Sequence, residues 1–266
     1  MDLFNFPAEV ILGFLLTVMR VSIVLFMMPV FSSDRIPMQV KAAASLVLTL
    51  GIWPHVTLNA AQMPIHPFNV ALYIADELLL GLILGMSVNF LFMGIQAGGE
   101  LLGFQMGFTM IHFVDPLTGN QTGFTAFFLW MVSILAFLCL DGHLYMIHGF
   151  IMTFKLIPPG GLVLGELIFR QVLELSTQLF ILALHIAAPV MVALFLVELT
   201  LALVSRTSPQ MHIMEVGFPA KIATGFFFLG LLLTIMGGHI ETFIVGMPDL
   251  YKNILHTLSP LFQGAR

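Results

Sequence analysis

Apolar and polar positions fall in long blocks along this chain, and the blocks predict helices. Residues 10–31 are apolar apart from Arg20 and a few small polar side chains, and they are long enough to span hydrocarbon, which takes about 20 residues. A polar turn at residues 32–37 separates them from a shorter apolar segment, residues 41–56, which holds Trp53 and ends beside Pro54. Residues 59–67, with Pro64 and Pro67, read as a loop. A long helix is predicted over residues 68–95, with Asp76 and Glu77 near its start and Gly81 and Gly85 four apart. Residues 126–140 and 144–157 read as a helical hairpin about Asp141-Gly142-His143, ended by Pro158-Pro159-Gly160-Gly161.

The later blocks follow the same logic. Residues 162–175 form an amphipathic segment, because Glu166, Arg170 and Glu174 recur every fourth position and mark one polar stripe. Residues 178–204 are apolar around His185, Pro189 and Glu198; residues 205–217 are a polar connection; residues 218–245 are the last long run. A short tail of mixed polarity occupies about 248–266. Internal repeats are not evident, and no linker is long enough to divide the chain, so a single domain over residues 1–266 is expected.

The stretch 98–124, GGELLGFQMGFTMIHFVDPLTGNQTGF, differs from the rest. Gly99, Gly103 and Gly107 recur every fourth residue, and on a helix they share a face on which a second backbone can come close. Glu100 lies inside this run, where an ionised carboxylate needs a partner or water. Phe104, Met106, Phe108, Met110, Ile111 and Phe113 then crowd bulky, deformable side chains together. Asp115-Pro116 breaks the helical pattern, and residues 118–123 have loop composition. Tight packing followed by a soft apolar loop reads as a gate, although close packing and an apolar interior explain the same residues more simply.

Composition sets the class. Of the 266 residues, 59% are hydrophobic and only 9% charged, against about 25% charged in a soluble domain. Such a surface belongs in a membrane or inside a large apolar assembly. The net charge of −5 is scattered, which leaves no basic patch for nucleic acid or anionic lipid. Cys139 is the only cysteine, so an internal disulfide is impossible. The N-terminal residues lack the positive region and cleavage site of a secretory signal, and the first apolar segment is expected to stay.

An ordinary multi-pass arrangement meets a difficulty in the loops. With each apolar run as one span, Arg35 and Lys41 fall on one side and Arg206 and Lys221 on the other, so no lopsided Lys/Arg count sets an orientation. Much of the apolar surface is therefore expected to pack against protein. Arg20, Asp76, Glu77, Glu100, Asp141, Glu198 and Glu241 lie in or beside apolar runs, where an ion or proton pathway competes with pairing inside an assembly. His143 and His148 are five apart, off the spacing for two ligands on one helical face, so no metal site is expected. Motifs for nucleophilic, zinc-hydrolytic or nucleotide chemistry are absent from the sequence, so neither catalytic residues nor a cofactor are expected.

Three separated stretches, residues 29–41 (PVFSSDRIPMQVK), 98–116 (GGELLGFQMGFTMIHFVDP) and 206–221 (RTSPQMHIMEVGFPAK), together resemble the FliR family of flagellar biosynthetic proteins. That family is related to the T-subunits of virulence type III export gates. The resemblance implies an all-α, membrane-associated subunit whose kinked helical hairpins wind into a right-handed helical export-gate assembly. It implies a bacterial inner-membrane location in the flagellar basal body. The implied partners are FliP and FliQ in a hetero-oligomer, FlhB at the cytoplasmic mouth, the FlhA ring below, and unfolded export substrates. It further implies a pore plug starting at Met106 and including Phe108, Met110, Ile111 and Phe113, with Met110 and Phe113 pointing inward. Arg20, Glu100, Asp115, Glu198 and Arg206 are then assigned to buried charge and assembly. The alternative is a small-solute or proton-coupled secondary transporter, which predicts an internal repeat and a binding site at broken helices. An intramembrane hydrolase would need a reactive pair on facing helices.

Overall fold

Long uninterrupted helices build this fold, because little in the apolar blocks stops a helix. A computed structural model describes residues 8–32, 36–56, 66–108, 123–162, 166–207 and 213–258. Seven α-helices occur among the described residues: α1 (Ala8–Met27), α2 (Met38–Ile52), α3 (Pro67–Met106), α4 (Phe124–Cys139), α5 (Gly142–Leu156), α6 (Glu166–Thr207) and α7 (Ile213–Leu258). A single 3-10 turn, Trp53–His55, follows α2 and sets Trp53 edge-on to Phe14, with ring centroids 5.5 Å apart.

Four of these helices, α1, α3, α6 and α7, are long and apolar enough to cross a membrane. With 40, 42 and 46 residues, α3, α6 and α7 are each about 60–70 Å long at 1.5 Å per residue. Three blocks predicted as separate pieces are thus continuous. Residues 96–106 extend the helix begun at Pro67, since glycine in a helix costs only about 1 kcal/mol and close packing offsets that cost. Residues 166–175 run straight into the apolar block after them, and Pro189 sits inside the helix on its exposed side. The expected tail at 248–266 is helical as far as Leu258, because Met247, Tyr251, Ile254 and Leu255 recur at helical spacing and are all buried.

By contacts the chain clusters into two compact units, and no linker is needed between them because α3, α6 and α7 each contribute a stretch to both. The first comprises residues 1–89, 141–175 and 244–266. In it, Gly81 and Gly85 form a notch on α3 that receives α1. A Cβ at Gly85 would lie 2.6 Å from Cβ of Met27, and one at Gly81 would lie 3.1 Å from Cβ of Ile23. Gly149 on α5 similarly accepts the ring of Tyr251. At the centre, fully buried Arg20 makes a two-pronged ion pair with Glu77, with Nε to Oε2 at 2.5 Å and Nη2 to Oε1 at 2.7 Å. Arg20 Nη1 also donates to the Ile157 carbonyl at 2.9 Å, and the Gly160 N–H donates to Glu77 Oε1 at 2.8 Å. The Phe154 ring lies 4.4 Å from the guanidinium carbon, adding a cation–π contact. The pair therefore holds α1, α3 and the turn after α5 at one point.

The second unit comprises residues 90–140 and 176–243. Two further notches on α3 organise it. Gly94 and Gly98 receive α6, where Cβ atoms would lie about 3 Å from the Leu179 and Ala183 carbonyls (3.1 Å in each case). Gly99 and Gly103 receive the start of α4, where a Cβ at Gly99 would lie 2.6 Å from Cα of Ala126. Buried Thr125 seals this contact by donating its hydroxyl to the Gly99 carbonyl at 2.7 Å. Further along the same two helices Phe92 and Phe137 meet edge to face, with centroids 5.4 Å apart.

Two outcomes follow from these contacts. Glu77→Gln leaves the Arg20 charge buried without its counter-ion, and breaking a buried pair in this way costs about 3–5 kcal/mol. A large fall in the thermal midpoint, read by circular dichroism in mild detergent, is expected, and an Arg20→Met/Glu77→Met double variant should melt above Glu77→Gln. At the α3–α4 contact, Gly99→Ala and Gly103→Ala should each destabilise by about 1–3 kcal/mol through overpacking. Only Gly103→Ala should be relieved by adding Thr125→Ala, because its Cβ would meet the Thr125 hydroxyl at 2.5 Å whereas Gly99 faces backbone. Equal relief of both variants in the same melts would contradict this packing.

Candidate functional site

The helix that carries Gly99 and Gly103 ends at Met106, and the way it ends shapes the site. Gly107 adopts φ 87, the left-handed conformation that glycine enters without steric cost. The Phe108 N–H reaches back to the Gly103 carbonyl at 2.9 Å, and the Gly107 N–H to Phe104 at 3.1 Å, a Schellman-type cap. Gly107 therefore does not continue the helical face of Gly99 and Gly103. It faces the Phe218 ring of α7, and a Cβ there would lie 3.0 Å from Phe218 Cε1. A four-residue spacing serves a ladder and a cap equally well, which is why the sequence alone groups all three glycines.

Met106 is fully buried, seated on Gly225 of α7. Half-buried Phe108 packs at an angle against Phe124 and Phe226, with ring centroids 6.2 and 6.0 Å away, and Phe124 stacks on Phe128 at 6.2 Å. Phe108 immediately precedes residues 109–122 and Phe124 lies just after them. The chain thus leaves and returns at a single aromatic cluster. Met110, Ile111, Phe113 and Asp115 lie outside the described residues.

Beside this cluster is a cleft of about 560 Å³ between α3 and α6. Leu101, Phe104, Phe108, Phe180 and Leu184 give it apolar walls, and Glu100 is the one charged residue among those lining it. The Glu100 side chain is exposed, with no ion pair among the described residues. The other charged candidates are placed differently. Arg20 is buried on Glu77, Glu198 of α6 pairs with Lys221 of α7, and Arg206 is exposed in the last turn of α6. Among the described residues, no group of three or more His, Cys, Asp or Glu is arranged to hold a metal ion. The arrangement among the described residues is an aromatic cluster beside a mainly apolar cleft.

Two participants escape sequence reasoning. Glu77 is visible as a charge in an apolar run, yet no pattern links it to Arg20 across 57 positions. Phe226 belongs to the long run of α7, where one phenylalanine among many carries no mark. The Gly94–Gly98 notch, by contrast, is written in the sequence as a four-residue spacing.

Comparison with known proteins supplies the family. Residues 11–247 match the profile of bacterial export proteins, family 1. The chain is 33% identical over 231 residues to the flagellar biosynthetic protein FliR of Pectobacterium carotovorum, covering 87% of this chain and 88% of that one. It is 28% identical over 240 residues to FliR of Escherichia coli K12, with 90% and 91% covered. It is 29% identical over 234 residues to FliR of Bacillus subtilis, with 87% and 88% covered. The chain belongs to bacterial export proteins, family 1, the FliR family, whose members are components of the flagellar export apparatus and not enzymes.

Proposed function

We propose that this chain is a pore-forming subunit of the flagellar protein-export gate in the bacterial inner membrane, passing unfolded flagellar proteins and sealing the pore at rest. The observation that carries this reading is the length of its apolar helices. A bilayer offers about 30 Å of hydrocarbon, roughly half the length of α3, α6 or α7. The apolar stretch of α3 is 67% buried within the chain, but that of α7 is only 22% buried, with Phe226, Phe227, Leu231, Ile235 and Val245 exposed. Lipid alone does not cover such a surface, whereas sister subunits do. FliP and FliQ are the sister chains in this reading, wound with this one into a right-handed helical assembly, with FlhB at the cytoplasmic mouth and the FlhA ring below.

The plug in this reading is residues 106–119, with Met110 and Phe113 toward the lumen. Met106 and Phe108 anchor its base, since one is buried on Gly225 and the other is held by Phe124 and Phe226. An aromatic cluster at the base of a segment rich in Met and Phe suits a seal that yields to an unfolded chain and then returns. Apposed thioether and aromatic groups exclude water by dewetting, and methionine repacks around varied substrates.

Two experiments test this. Shortening residues 110–120 should raise the resting conductance of the membrane-embedded gate to small ions, and unchanged conductance would rule out the plug. Mild extraction from the native membrane followed by mass measurement should give a hetero-oligomer with FliP-like and FliQ-like chains; a lone monomer or homodimer would favour a transporter instead.

A further inference from the structure

Three consecutive residues where α3 ends dock on one short stretch of α7. Met106 is seated on Gly225, where a Cβ would lie 2.5 Å from its Cε, Gly107 meets the Phe218 ring, and Phe108 packs against Phe226. Phe218 and Gly225 are seven residues apart and so share one strip of the helix. Gly217 and Lys221, four apart, form the neighbouring strip, and that strip faces α6. A Cβ at Gly217 would lie 3.2 Å from Cδ1 of Leu201, and the Lys221 ammonium pairs with the Glu198 carboxylate nearby on α6. Both charges are partly sheltered, with Lys221 and Glu198 side chains 26% and 39% exposed. Because α6 is itself held to α3 at Gly94 and Gly98, the three helices close a ring.

The structure assigns Glu198 and Lys221 a positioning role: the pair fixes the rotation and register of α7, so that Phe218, Gly225 and Phe226 meet residues 106–108. Methionine repacks readily, so the Met106 contact by itself tolerates small shifts of α7. A slip by one residue is different, because it turns a helix by about 100° and moves it about 1.5 Å. Such a slip takes Lys221 from Glu198 and Phe218 from Gly107 together. The ion pair resists it, since separating two charges costs more in a partly sheltered setting than in bulk water. Phe218 and Lys221 both belong to the stretch 206–221, so that stretch supplies the contact and also the charge that sets it. The functional half of this assignment rests on the reading of residues 106–119 as the plug, because the residues held in place are its base.

The test uses the whole complex in native membranes, with a photoreactive phenylalanine analogue in place of Phe218. Illumination should join that position to residues 106–108 of the same chain, as mapped by peptide mass. Lys221→Met and Glu198→Gln should each lower this adduct about threefold or more, the scale of coupling between residues in contact. Lys221→Arg should largely keep it, and the swapped pair, Glu198→Lys with Lys221→Glu, should restore it. In the two single variants the hetero-oligomer should be recovered at its usual yield while resting conductance to small ions rises. An adduct indifferent to Lys221→Met and Glu198→Gln, or one that stays low in the swapped pair, would overturn the assignment. Loss of the hetero-oligomer in both single variants would also overturn it, as the mark of a general folding defect. If the adduct follows the pair but neither these variants nor shortening residues 110–120 alters conductance, the plug reading falls and the local positioning stands. If the shortening raises conductance while the pair variants change neither adduct nor conductance, only the positioning falls.

Discussion

Close approach of backbones along α3 is the constraint on which the fold depends. Three glycine pairs, each four residues apart, let α1, α6 and α4 reach this helix at distances that leave little or no room for a Cβ. The reason is energetic. In an apolar surrounding, water expulsion does little to hold one helix to another, and attraction comes from dispersion at short range and from polar contacts. The Thr125–Gly99 hydrogen bond is one such contact, available only because the missing Cβ atoms bring the hydroxyl to 2.7 Å. In each unit a helix packs on α3 at a notch of this kind.

The exterior follows the opposite rule. Along α6 and α7 large apolar side chains point away from the chain, while Glu198 of α6 is paired with Lys221 of α7. A protein surrounded by water alone would hide such side chains. Here the exposed surface is left for whatever surrounds the chain, lipid or protein, to cover.

Much of this was legible from sequence, and the rest was hidden for specific reasons. Helix content follows from the apolar blocks, and the glycine spacings at 81/85 and 99/103 mark genuine notches. Boundaries are less legible, since polar or glycine-bearing stretches such as 96–99 and 175–178 look like breaks while lacking any residue that stops a helix. Gly107 shows the converse: its position fits a ladder, and only φ 87 and the bond from Phe108 to Gly103 identify a cap. Pairing across distance is illegible in principle, because Arg20 and Glu77 are joined by folding and not by any local pattern. The stretch at residues 98–116 that carries the resemblance does not reveal the aromatic cluster at Phe108, to which Phe226 comes from more than a hundred positions away.

The buried Arg20–Glu77 pair has a consequence for biogenesis. Arg20 is translated 57 residues before its counter-ion, and the Ile157 carbonyl follows later still. At about 5–20 residues per second, roughly 3–11 s elapse between the two ends of the pair. During that interval a nascent α1 carries a bare guanidinium, which the flexible side chain can hold near the headgroups by snorkelling. Burial of the Arg20 charge thus waits until the third helix has been made, so the order of synthesis sets when the first helix can reach its final packing.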